Sequence, residues 1–154
     1  MTFRQYLKKS GACRKARAWA RTRTSTEAWN ECTRPDWLAW WVWREGVSVP
    51  RNTWARIIVF AARRGNDYQP RLNTNAYFAN TNAYLTLAQW KGVKKIKAAE
   101  EWLESFSQEE WAQLAMGVVA RSVIYAEKEN GGPICSKIRK LIDQPWNDDA
   151  EVVD

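Results

Sequence analysis

Apolar residues recur at the three- and four-residue spacing of amphipathic helices along most of the chain. The longest such stripe comprises Trp111, Leu114, Ala115, Val118, Val119, Ser122, Val123 and Ala126. It follows Ser107-Gln108-Glu109-Glu110, which has the form of a capping box. No segment shows the strict alternation of a half-buried strand. The pattern predicts an all-α, single-domain helical bundle or array of about seven or eight helices over residues 1–146.

Turn and cap residues set the predicted boundaries of these helices. Ser10 and Gly11 are expected to open a short helix, and Thr24-Ser25-Thr26-Glu27 is a capping-box pattern for the next one. Asn130-Gly131-Gly132-Pro133 is predicted to be a loop that precedes a last helix. The segment 73–84 contains Asn-Thr-Asn-Ala-Tyr twice, seven residues apart. Seven residues make two helical turns, so a helix is favoured, and a hairpin through 80–82 is the alternative.

The segment from Trp37 to Trp43 is apolar at every position. Pro35 and Asp36 suit the first turn of a helix, and Gly46 suits its end. A helix that is apolar all round is expected to be central and buried. Replacing Trp40, near its middle, by Ala is therefore expected to lower the free energy of unfolding by about 3–5 kcal/mol.

Charge is distributed unevenly along the chain, whose net charge is +7. Residues 1–26 contain eight Lys or Arg and no acid, whereas the last twelve residues contain five acids and no base. Residues 147–154 are expected to form an acidic, flexible tail. The basic end suggests an acidic partner, which could be phosphates, an acidic protein surface or the tail itself. A merely solubilising surface is the alternative interpretation.

Basic residues on polar helix faces and one tryptophan are the candidate partner-binding residues. The predicted set is Arg14, Lys15, Arg17, Arg21, Arg23, Arg63, Arg64 and Trp43. Arg14, Arg17 and Arg21 follow the i, i+3, i+7 spacing of one helical row. Among the 11 Trp residues, the better surface candidates are Trp43, Trp54 and Trp146, although Trp54 also falls on the apolar stripe of its helix. Six others lie on apolar stripes typical of a core: Trp19, Trp37, Trp40, Trp41, Trp102 and Trp111.

Catalytic and metal-binding chemistry finds little support in the sequence. Histidine is absent, and the three cysteines are too widely spaced for a zinc site or a disulfide framework. Cys13 lies beside two cations but lacks a base, so a buried structural thiol is expected there. We therefore expect no enzyme activity, no cofactor and no metal. The longest apolar run has seven residues, which is too few to span a membrane. The odd number and wide spacing of the cysteines favour a reducing cytoplasm as the compartment.

Three short motifs resemble a known group of proteins. They are Gly11-Ala12-Cys13, Ala28-Trp29-Asn30-Glu31-Cys32 and Asp36-Trp37-Leu38-Ala39-Trp40, followed by Ala61-Ala62-Arg63-Arg64. Together they resemble small helical proteins of bacteria and phages that form an immunity-protein-like family, over residues 10–92. The matching residues are mostly those of a helical core. The resemblance implies a small protein that binds and blocks another macromolecule.

The expected function is therefore that of a non-enzymatic phage or mobile-element binding protein. It would inhibit or shield a macromolecular target, in the manner of an immunity-like or anti-defence inhibitor, and its partner would be a host or defence-system protein. The alternative is a nucleic-acid-binding module that uses the basic N-terminal half. Residues 1–72 contain 15 Lys or Arg against five Asp or Glu. No pattern in the chain specifies an oligomeric state.

Overall fold

Helices form most of residues 1–64, 95–124 and 131–147, which are the residues described by the structure, a computed structural model. The helices are α1 (Phe3–Ser10), α2 (Arg14–Trp19), α3 (Ser25–Glu31), α4 (Pro35–Arg44), α5 (Arg51–Arg64), α6 (Ile96–Leu103), α7 (Gln108–Ile124) and α8 (Gly131–Leu141). One turn of 3-10 helix, Ala20–Thr22, follows α2. This part of the chain contains no strand, and the predicted all-α class is confirmed. The Asn-rich repeat and the residues after 147 lie outside the described residues.

Two helix starts predicted from the sequence are confirmed by their hydrogen bonds. The Thr24 hydroxyl accepts a hydrogen bond from the backbone N–H of Glu27 at 3.2 Å, at the beginning of α3. At the beginning of α7, the Ser107 hydroxyl accepts one from the N–H of Glu110, whose carboxylate accepts one from the N–H of Ser107. These bonds satisfy N–H groups that have no partner inside the helix.

Helix α1 and its end differ from the prediction. The Thr2 and Gln5 side chains form a capping box that starts α1, so a helix precedes the one expected from residue 10. Gly11 ends α1 instead of opening the next helix. Its φ of +83° is left-handed, and its N–H bonds the carbonyls of the last turn. Only glycine adopts this conformation at little cost, which explains a glycine here.

Buried side chains from seven of the described helices, all except α2, form one hydrophobic cluster. Helix α4 packs against α7 and α8, and α5 packs against α6, α7 and α8. Helix α4 is therefore central, as predicted, but it is not buried all round. Leu38 and Trp41 are buried on its inner side, whereas Trp37, Trp40 and Trp43 are half-buried. A tryptophan suits the edge of a core because its broad ring is apolar and its N–H is polar.

Two tryptophans expected at the surface pack elsewhere. Trp54 is only 2% exposed because it shares the inner face of α5 with Ile57 and Ile58. Trp146 follows the last helix and stacks on Tyr6, with ring centroids 4.2 Å apart and planes 6° from parallel. For Trp54 the expectation of exposure is wrong and its place on the apolar stripe of the helix is confirmed, whereas Trp146 is half-buried in a contact with α1.

The ionisation of Tyr6 makes the stability of the protein depend on pH in the alkaline range. Its hydroxyl accepts a hydrogen bond from Trp41 Nε1 at 3.0 Å and donates one to the Glu45 carboxylate. Burial, reinforced by Glu45, raises the pKa of Tyr6 well above its ordinary value. The folded state therefore keeps the proton at a pH where the unfolded chain loses it. The resulting contribution to stability is complete below pH ~10 and declines as the pH rises further.

We expect Tyr6→Phe to lower the free energy of unfolding by about 1–2 kcal/mol at pH 7, because Trp41 and Glu45 lose a partner. The difference between wild type and variant should shrink above pH ~10 by up to ~1.4 kcal/mol per pH unit. Denaturant unfolding of both proteins between pH 7 and 11 measures this difference and cancels the other titrating groups. A difference that stays constant over this range would contradict the assignment.

Candidate partner-binding surface

The predicted basic row does not form one straight stripe. Helix α2 ends at Trp19, so Arg21 lies in the 3-10 turn, where the helical spacing changes. Arg14, Lys15 and Arg21 are exposed, whereas Arg17 and Arg23 are half-buried. The buried Nε of Arg17 has no hydrogen-bond partner among the described residues. The sequence identified these basic residues, but only the structure shows which of them face the solvent and which pack against the rest of the protein.

Two tryptophans and two arginines form a cluster, the Trp–Arg cluster, between the end of α2 and the beginning of α4. The rings of Trp19 and Trp37 contact each other, with centroids 5.9 Å apart and planes tilted by 55°. The Arg23 guanidinium lies 4.1 Å from the centroid of the Trp19 ring, and that of Arg34 lies 4.7 Å from the centroid of Trp37. Each contact has the geometry of a cation–π interaction. Arg34 was not among the predicted site residues.

Carboxylates hold both guanidinium groups in place. Arg23 Nε donates to Glu31 at 2.9 Å, and Arg23 Nη1 donates to the carbonyl of Trp19. Arg34 donates two parallel bonds to Asp36, at 3.0 and 2.9 Å, and this pairing raises the pKa of the guanidinium. Half-exposed ion pairs of this kind add little stability. Their effect here is to orient the two cations over the rings.

A small apolar cavity lies beneath the cluster. Its volume is about 40 Å³, and Trp19, Cys32, Trp37 and Trp41 are among its lining residues. A cavity of this size holds one or two molecules as small as water. A macromolecule would therefore contact the outer side of the Trp–Arg cluster.

The surface beside the cluster is positively charged. Arg14, Lys15 and Arg21 are exposed, and within the described ranges no ion pair joins any of them to an acid. Tryptophan and arginine are the residues that most often dominate binding energy at protein interfaces. Exposed cations around them attract acidic partners and accelerate association.

The remaining predicted residues lie on other elements. Arg63 and Arg64 occupy the last turn of α5, where the Arg64 guanidinium lies 4.9 Å from the Phe60 ring. Lys137 of α8 approaches the same ring, at 5.6 Å. They belong to a second basic group, formed by α5 and α8. Its members differ from those of the Trp–Arg cluster.

Trp43 lies at a third place, near the end of α4. It borders a groove of about 400 Å³ together with Val47, Trp54, Gln108 and Glu109, among others. The groove separates the 43–49 segment from the first turns of α7. Trp43 is half-buried there, so it remains accessible from one side. The structure thus divides the predicted site residues among three places.

The cysteines differ in burial from what was expected. Cys13 is exposed because it occupies the N-cap position of α2 at the surface, so the expectation of a buried thiol is wrong there. Cys32 and Cys135 are buried, and their thiols lie close enough to influence each other's pKa. Across the described ranges, no three Cys, Asp or Glu side chains group closely enough to hold a metal ion. Nor does any helix there combine the length and apolarity needed to cross a membrane.

The arrangement can bind and position a partner through aromatic and cationic contacts. No protein-family model, curated protein or solved structure matches the chain.

Proposed function

We propose that the protein is a non-enzymatic binding protein that inhibits or shields an acidic protein partner. The Trp–Arg cluster carries the proposal, together with the exposed cations beside it. The resemblance of residues 10–92 adds the setting of a phage or mobile element, in which the target is a host or defence-system protein in the cytoplasm. Binding alone would block the target, because the part of the target that contacts this surface becomes inaccessible to other molecules.

The rigidity of the cluster supports a role in recognition. Trp19 and Arg23 come from α2 and the turn after it, and Arg34 and Trp37 come from the beginning of α4. Ring contacts and ion pairs fix all four side chains before any partner arrives. Binding then requires little further loss of side-chain freedom, which is one of the main costs of association.

The same geometry favours an acidic protein over a nucleic acid. Proteins that bind single strands stack bases on open aromatic faces. Here Arg23 covers one face of Trp19, and Arg34 covers one face of Trp37. Binding of nucleic acid is the competing outcome of the test below.

Charge reversal at Arg14, Lys15 and Arg21 tests the surface. We expect the triple variant with Glu at all three positions to bind its partner at least tenfold more weakly at low salt. Its affinity should also depend less on salt, because fewer attractive charges remain to be screened. The three side chains are exposed, so the helical circular-dichroism signal should not change.

A variant with Glu at Lys95, Lys97 and Lys140 is the matched control. It changes the net charge equally, at exposed positions on α6, its N-cap and α8, and should keep wild-type affinity. The three proteins are used in parallel to capture partners from host lysate, with and without nuclease treatment. A protein retained by wild type and control but lost by the α2 variant supports the proposal. Recovery of nucleic acid alone, or equal capture by all three proteins, contradicts it.

A further inference from the structure

Helix α8 packs against the junction between α3 and α4. The residues that face this junction are spaced four apart on α8. Gly131 lies so close to that junction that a Cβ atom added to it would be 2.0 Å from the carbonyl oxygen of Thr33. Two turns later, Arg139 Nη1 donates hydrogen bonds to the carbonyls of Trp29, at 2.9 Å, and Cys32, at 3.0 Å. The two contacts hold α8 against the junction at both ends.

Cys135 lies midway between Gly131 and Arg139 on the same face of α8. Because the residues four before and four after it contact Thr33 and Cys32, Cys135 faces Cys32, and the two thiols lie close enough to influence each other's pKa. Cys32 is 3% exposed and Cys135 is fully buried. Helix packing therefore brings together two thiols that are about a hundred residues apart in the sequence.

The surroundings distinguish the two thiols. Cys32 Sγ accepts a hydrogen bond from the backbone N–H of Arg34 and donates one to the carbonyl of the same residue, both at 3.4 Å, and the positive charge of Arg139 lies nearby. The Cys135 thiol, together with the Arg34 backbone and the charge of Arg139, lowers the pKa of Cys32, whereas Cys32 and burial raise the pKa of Cys135. Cys32 lines the apolar cavity beneath the Trp–Arg cluster and Cys135 is not among its lining residues, so Cys32 is the thiol that a small oxidant reaches first.

The cavity that Cys32 lines, with a volume of about 40 Å³, has room for an oxidant of the size of hydrogen peroxide. We propose that Cys32 and Cys135 are a redox-active pair that hydrogen peroxide converts into an intramolecular disulfide. This inference does not depend on the proposed binding function.

The reaction has two steps. The Cys32 thiolate attacks one peroxide oxygen, the O–O bond breaks, and hydroxide leaves, so that Cys32 becomes a sulfenic acid. The Cys135 sulfur then attacks the Cys32 sulfur, the S–O bond breaks, and water leaves with the proton of the Cys135 thiol. In sum, two thiols are oxidised to one disulfide and one hydrogen peroxide is reduced to two waters.

The disulfide would change the stability of the whole protein. It closes a loop of about a hundred residues and so reduces the conformational freedom of the unfolded chain. We expect the Tm to rise on oxidation by an amount on the order of 10 °C. A reducing agent should reverse the rise.

The experiment uses the full chain with Cys13→Ser, which removes the exposed thiol and any disulfide between molecules. The protein is treated with hydrogen peroxide, alkylated, digested and analysed by mass spectrometry, and its Tm is measured in parallel. The proposal predicts a peptide pair joined through Cys32 and Cys135, lighter by two hydrogens than the reduced pair. Alkylation of both thiols after peroxide treatment, with an unchanged Tm, would overturn it.

A second variant, Cys13→Ser with Cys135→Ala, is the matched control. It keeps Cys32 but lacks the resolving thiol, so peroxide should leave a sulfenic acid on Cys32 that a dione reagent traps. Its Tm should not rise. The reverse variant carries Cys32→Ala and keeps Cys135. The assigned roles would be contradicted if sulfenic acid were trapped on Cys135 in this variant and none were trapped on Cys32 in the Cys135→Ala variant. If either variant fails to fold, the peptide map of the Cys13→Ser protein decides the proposal alone.

Discussion

Trp41→Ala should lower the free energy of unfolding by about 3–5 kcal/mol. The Trp41 side chain is buried, and its ring lies 5.1 Å from that of Phe3 and 5.6 Å from that of Trp29, measured between centroids. Its Nε1–H donates to the Tyr6 hydroxyl. Trp41 already lines the cavity beneath the Trp–Arg cluster, so its truncation would enlarge an existing void that the neighbouring rings cannot fill.

Trp40→Ala is the matched control for this prediction. Trp40 is the preceding residue of α4 and has the same side chain, but it is half-buried, so its removal should cost no more than about 2 kcal/mol. The sequence assigned the large loss to Trp40, and the structure transfers it to Trp41. Denaturant unfolding of both variants measures the two losses. Equal losses, or a larger loss for Trp40→Ala, would contradict the conclusion that the Trp41 side of α4 faces the core.

Gly131→Ala should destabilise the protein by about 3 kcal/mol, because its new methyl group would overlap the carbonyl oxygen of Thr33. The contact would be 2.0 Å, and a backbone atom cannot rotate away as a flexible side chain can. Helix α8 would have to move outwards. The move would weaken the hydrogen bonds of Arg139 and separate Cys135 from Cys32.

The substitution Gly132→Ala, one residue later, should change the stability in the opposite direction. An added Cβ at Gly132 meets no atom within 4 Å, and both glycines lie in the first turn of α8. Alanine loses less backbone entropy than glycine in a helix, so this change should stabilise the protein by up to ~1 kcal/mol. Thermal unfolding of the pair compares two identical chemical changes. Effects of the same sign would show that α8 does not approach Thr33 as described.

Hydrophobic spacing predicted the helices with long, regular apolar stripes. Helix α7 follows from it, because a stripe of several turns leaves few alternatives. Helix α4 follows instead from its uninterrupted apolar run and the turn and cap residues that flank it. The short helix α1 carries the same signal in Phe3, Tyr6 and Leu7, but basic residues surround it. Gly131 and Gly132 indicated a loop, yet they begin α8. A first helical turn tolerates glycine when close packing against another backbone requires it.

The candidate surface was predictable in composition but not in geometry. Counting charges identifies a basic N-terminal region, and helical spacing identifies which residues share a face. Neither reveals that Trp19 and Trp37 touch, because that contact depends on how α2 meets α4. Arg34 could have been noticed from its position between Cys32 and Asp36 near a tryptophan. Its role becomes visible only when its guanidinium is seen over the Trp37 ring.

The stack of Tyr6 on Trp146 bears on how the protein folds as it is synthesised. These rings are 140 positions apart, and Gln144 likewise bonds the Ser25 hydroxyl, at 3.1 Å. At ~5–20 residues per second, a ribosome needs on the order of 10 s to add that length of chain. During this time the aromatic face of α1 has no cover from the C-terminal segment. A nascent chain that has not yet reached α8 should therefore bind chaperones and be cleaved by proteases, and protection should appear only once residues 131–146 have left the exit tunnel.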